Sequence, residues 1–95
     1  MNRGELMQTV DLMLAVREYP NFSRSRIVAI AGLKFVKGYD LLKSLRDCGL
    51  VVFAENATND RGRSGTCVAL SSDGTSWLFH MEKLLVRLNN GSNSK

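Results

Sequence analysis

Two cysteines, one proline and one histidine are all that the 95 residues hold of those types, and each scarcity narrows what the chain can be. Cys48 and Cys67 are too few for a disulfide framework and stand in no CxxC spacing, which removes cysteine-stapled folds and thioredoxin-like redox motifs. Buried free thiols are expected; whether the two meet as a bridge is left open. His80 and two dispersed cysteines do not complete a four-ligand zinc site within one chain. GxSxG, HExxH, Walker and GxGxxG motifs are all missing, so neither an enzyme nor a cofactor or metal is expected. No apolar run reaches the roughly 18 residues that cross a bilayer. The opening MNRGELMQTVDLML sets Glu5 and Asp11 within its apolar pattern, unlike a signal peptide. A cytoplasmic protein is the expectation.

What is present points to one domain. The 44% apolar content is ordinary for a globular chain, and a domain of this size is marginal alone, which favours oligomerisation. Apolar residues at Leu6, Val10, Met13 and Leu14, flanked by Met7 and Val16, predict a helix from about Gly4 to Glu18. The single proline, Pro20, breaks it. Ser23 is an N-cap for a short helix from about Arg24 to Ala31 whose core face is Ile27, Ile30 and Ala31. Gly32 ends it, and Leu33 plugs the turn.

A third helix, about Phe35 to Cys48, places Phe35, Gly38, Leu41, Leu42, Leu45 and Cys48 on one face and Lys37, Asp40, Lys43, Ser44 and Asp47 on the other. Gly38 costs about 1 kcal/mol relative to alanine in a helix interior and implies close approach of another backbone. After Gly49, strands are expected at about Leu50 to Asn56 and Gly65 to Leu70, joined by a polar loop. Ser71 caps a last helix, about residues 72–89, and the tail to Lys95 has linker composition, expected to be disordered from residue 91.

The order of helix, turn, helix and two-stranded ribbon predicts a mostly α fold with a small β-hairpin: a winged helix-turn-helix over residues 1–90 with a C-terminal dimerisation helix. Leu78, Met81, Leu85 and Leu88 follow heptad spacing, and with Trp77 and Leu84 they form the expected dimer stripe.

Charge is unevenly placed along this plan. Thirteen basic and nine acidic residues give a net charge of +4. Between Arg24 and Arg63 stand eight bases and four acids, so the whole excess falls on the helix-turn-helix and the ribbon. That placement predicts a polyanionic partner, double-stranded DNA. Arg24 and Arg26 would meet phosphate. Lys34, Lys37 and Lys43 would line the reading helix, with Tyr39 and Asp40 touching bases or positioning the lysines; Lys37, nearer the helix start, is the expected base reader. Arg61 and Arg63, flanking Gly62 at the ribbon tip, would grip phosphate or enter a minor groove. No small-molecule ligand is evident.

The stretch SRSRIVAIAGLKFVKGYDLLKSLRDCGLV resembles the archaeal winged-helix DNA-binding proteins of about ten kilodaltons. They share an Arg-Ile start, an Ala-x-Leu turn, a Leu-x-x-Leu helix and a closing Gly-Leu-Val/Ile. LSSDGTSWL is similar to their Leu-Thr-x-x-Gly-x-x-x-Leu opening of the last helix, at Leu70, Ser71, Gly74 and Leu78. The resemblance covers about Ser23 to Asn89 and implies an antiparallel coiled-coil dimer acting as a transcription regulator or a nucleoid-associated protein. Two features depart from it: Gly38 stands where a larger apolar residue is usual, and ENATNDRGRSG is longer than the family hairpin. The rival expectation, from a different class, is a winged helix serving as a protein-interaction module without DNA contact.

Overall fold

In the computed structural model, which describes residues 3–58 and 64–93, the chain folds as α1 (Arg3–Glu18), α2 (Arg24–Ile30), α3 (Phe35–Asp47), β1 (Val51–Thr58), β2 (Ser64–Leu70) and α4 (Ser72–Asn93). The last helix runs past the expected residue 89. Its Asn-Asn-Gly-Ser end has poor helix formers, but extending an established helix adds a hydrogen bond per residue without a new nucleus.

Helix α1 is the centre of the molecule. It packs against α2, α3, α4 and β2, so its buried set is wider than one stripe: Thr9, Val10, Leu12, Met13, Ala15 and Val16. Thr9 satisfies its buried hydroxyl by donating to the Glu5 carbonyl at 2.8 Å. The core is completed by Ile27, Val28, Leu41, Leu42, Leu45, Val51, Val68 and Leu78.

The faces of α2 and α3 differ in part from the sequence expectation. Val28, not Ile30, is the second core residue of α2, and Ile30 is exposed. Phe35 and Cys48 are exposed rather than on the core face of α3. Both are at the ends of the helix, Phe35 as its first residue and Cys48 as its C-cap. Cys67 is buried, and both thiols are free. Gly38 is explained by a side chain rather than a backbone: a Cβ there would meet the Val28 isopropyl group, with Cγ2 at 2.7 Å.

β1 and β2 pair antiparallel from Val51↔Leu70 to Thr58↔Ser64, with one extra β1 residue between Ala54 and Ala57 that forms a bulge. The open edge of β2 is bridged at Cys67 by Ser23, and Val68 N–H donates to the Phe22 carbonyl at 3.2 Å. This small third strand element holds the start of α2 against the hairpin. It is a non-local pairing with no signal of its own in the sequence.

Candidate nucleic-acid interface

Helices α2 and α3 are joined by a turn that the sequence dictates closely. Ser23 is extended, and its Oγ accepts from Arg26 N–H at 3.4 Å, giving α2 its N-cap. At the other end Gly32 takes φ +75°, where a glycine pays no Cβ penalty. Gly32 N–H donates to Ala29 O at 3.0 Å and Leu33 N–H to Val28 O at 3.1 Å, the paired bonds of a Schellman stop. Helix α3 ends the same way. Gly49, at φ +80°, donates to Arg46 O, and Leu50 N–H donates to Leu45 O, both at 2.9 Å. The hairpin follows directly, so α2, α3 and the ribbon form one unit behind which α1 and α4 pack.

No family model matches the sequence, and no curated protein matches it. Solved structures do match the fold. A MarR family transcriptional regulator from Silicibacter pomeroyi has a TM-score of 0.74 at 13% identity, over 90% of this chain and 54% of that one. The PcaV transcriptional regulator from Streptomyces coelicolor, in complex with its natural ligand, has a TM-score of 0.76 at 13% identity, over 90% and 59%. The transcriptional repressor CouR, bound to a 23-mer DNA duplex, has a TM-score of 0.68 at 19% identity, over 81% and 52%. The fold is a winged helix-turn-helix. The chain spans a little over half the length of these neighbours.

In winged-helix terms α3 is the second helix of the motif and β1–β2 the wing. The outward face of α3 carries Val36, Asp40, Lys43 and Asp47, all exposed, and Lys34 is exposed at the N-cap just ahead of the helix. Its charge is mixed. Val36, 78% exposed, is the most open large apolar residue described. Lys37 is not on this face. At about 100° per residue it sits about 120° around the helix from Lys43. There its Nζ lies 3.3 Å from the Glu5 carboxylate of α1. Spacing alone could not show that α1 flanks that side of α3.

The other flank of α3 gathers arginines and aromatic rings. The Arg24 guanidinium lies 5.5 Å from the Tyr39 ring centroid and 5.6 Å from that of Phe53. Arg46 lies 5.0 Å from the same Phe53 ring. Arg26 sits 4.8 Å from the Phe22 ring. Such stacks lower the freedom of each guanidinium while leaving its donors outward. The meeting of Arg46 and Phe53 has no signal in the sequence, because it depends on β1 returning beside α3. Arg61 and Arg63 lie outside the described residues.

Helix α4 is fastened to the end of α3. Ser71 Oγ accepts from Gly74 N–H at 2.9 Å and donates to Gly49 O at 2.6 Å, while Ser71 N–H donates to Leu50 O at 3.1 Å. Gly74 is buried at this contact, where a Cβ would strike the Leu50 carbonyl oxygen. The expected stripe on α4 divides. Leu78 is fully buried in the chain's own core, which corrects its assignment to an interface. Trp77 and Leu85 pack partly on that core, and Met81 is half-buried. Leu84 and Leu88 are open, joined by Phe79 and Val86 from elsewhere on the helix. His80 is exposed.

Further along α4, Glu82 accepts from both terminal nitrogens of Arg17, at 2.6 and 3.0 Å. The hydrogen bond to Arg17 holds the Glu82 carboxyl below its ordinary pKa and raises that of Arg17. Because the folded-state pKa of Glu82 is depressed, the pair stabilises the fold above the unfolded-state carboxylate range. It is lost as pH falls through the folded value. The pair is exposed, so the contribution is at most about 1 kcal/mol. We expect Glu82→Gln to lower Tm slightly at pH 7, and that loss to shrink as pH falls through and below the carboxylate range, as measured by thermal melts in an acid series. A loss that stays the same at every pH would contradict the linkage.

Proposed function

We propose that this protein binds double-stranded DNA as a homodimer and regulates transcription, with α3 entering the major groove. The observation that carries the reading is the placement of basic side chains. Arg24, Arg26, Lys34, Lys43 and Arg46 open around the helix-turn-helix and the base of the wing, and the sequence adds Arg61 and Arg63 to the wing tip. CouR, on the same fold, is bound to a DNA duplex. Phosphate contacts from such residues position a protein on the duplex, and base contacts specify the site. Val36, near the start of α3, is suited to an apolar contact with a thymine methyl. Tyr39 and Asp40 stay in the interface as residues that touch bases or orient cations.

The sequence alone favours Lys37 as base reader. Its ion pair with Glu5 moves that expectation to Lys43, which is exposed on the outward face. The test is fluorescence anisotropy of the protein on a random-sequence duplex pool at two salt concentrations. Wild type is expected to bind, with an affinity that falls as salt rises. Lys43→Ala should weaken binding and relax base preference by about 1–3 kcal/mol. Lys37→Ala should weaken it less, and Lys83→Ala on α4 not at all. Equal behaviour of Lys43→Ala and Lys83→Ala would remove α3 as the reading helix.

A second reading, a protein-interaction module, draws on the mixed charge of α3 and on the exposed Phe35 and Val36. It predicts that duplex binding is absent even at low salt.

A further inference from the structure

The flank of α3 has an arrangement that the folded chain alone does not explain. Arg24 comes from α2 and Arg46 from the last turn of α3, yet both guanidiniums stack within about 6 Å of one ring, Phe53. Both positive charges thus bear on the same ring, and like charges on one ring repel. Among the described residues only one carboxylate relieves this: Asp47 lies 3.4 Å from Arg46 Nη2 and is 71% exposed. No described carboxylate pairs with Arg24. The outward nitrogens are donors only, so the arrangement suits a ligand that is anionic and accepts only. A phosphate diester has that chemistry, and planar guanidiniums grip it in a fixed geometry. Arg46 is at the end of α3 away from the part that reaches base edges, which favours backbone over base.

We propose that Arg24 and Arg46, stacked on Phe53, form a single site for one phosphodiester of the DNA backbone, and that Phe53 is its positioning residue. This rests on the DNA-binding reading. Phe53 contributes no charge; its ring is the surface that both guanidiniums pack against.

The salt dependence of binding tests the idea with the full-length chain on a random-sequence duplex. Two arginines sharing one phosphate make each single substitution nearly silent in the slope of log affinity against log salt. Arg24→Gln and Arg46→Gln together should then make it shallower by about 0.9. Two independent phosphate contacts would instead give about 0.9 for each single and about 1.8 for the pair, and that outcome overturns the proposal. Phe53→Leu should weaken binding by at least about threefold with little change in slope, and Phe53→Trp should restore it. Wild-type affinity in a folded Phe53→Leu would overturn the positioning role. Where Phe53→Leu does not fold, the arginine slopes decide alone. Failure of wild type to bind any duplex would instead defeat the DNA-binding reading.

Discussion

Gly74→Ala is expected to destabilise the protein by about 3 kcal/mol or more, although alanine is the better helix former by about 1 kcal/mol. The added methyl meets the Leu50 carbonyl oxygen, a backbone atom that already accepts from Ser71 N–H at 3.1 Å. It cannot move aside without releasing that bond and the Ser71–Gly49 bond beside it. Overpacking against side chains typically costs about 1–3 kcal/mol, and a backbone obstacle gives less. For a domain of this size 3 kcal/mol lowers Tm by more than about 12 °C. Gly38→Ala is the comparison. Its methyl meets Val28, so Val28→Ala in the same chain should recover part of the loss, whereas no single side-chain change should rescue Gly74→Ala. Thermal melts at fixed protein concentration measure both. A Tm raised by Gly74→Ala would show that α4 is not seated on the Gly49–Leu50 turn.

Much of the local structure was legible in the residues because its causes are local. Ser23 and Ser71 cap helices through their own hydroxyls, and Gly32 and Gly49 stop helices through their own positive φ. The order of elements followed from those stops. Side-chain faces were less legible. Ile30 and Phe35 have the right spacing for the core but are exposed, and Leu12 and Ala15 lie outside the expected stripe of α1 yet are buried because neighbours surround that helix. Spacing gives a face only when one side of a helix is covered. The candidate interface was legible as charge but not as geometry. Arg24 and Arg26 stand out from their position in the sequence alone. The Phe53 stack and the Lys37–Glu5 pair depend on contacts between segments distant in sequence.

The same division on α4 separates folding from association. Leu78 has no exposed surface, whereas Leu84 and Leu88 are 47% and 58% exposed, with Phe79 and Val86 also open. Leu84 and Leu88 lie within about 40° of each other on the helix, with Phe79 and Val86 on the opposite face. The Leu84–Leu88 pair is costly in water unless another surface covers it, and a two-fold partner presents the same pair in return. Leu84→Glu with Leu88→Glu should therefore leave the domain folded and the chain monomeric at micromolar concentration by sedimentation equilibrium. Leu78→Glu should instead unfold it, since an unpaired carboxylate would be forced into the core. A dimer that holds two half-sites gains avidity over either domain alone, commonly 10²-fold or more. The double variant is thus expected to lose about 100-fold in apparent affinity for a palindromic duplex and to bind a single half-site as wild type does. A wild-type chain that sediments as a monomer, or a double variant that stays dimeric, would place the contact elsewhere than on α4.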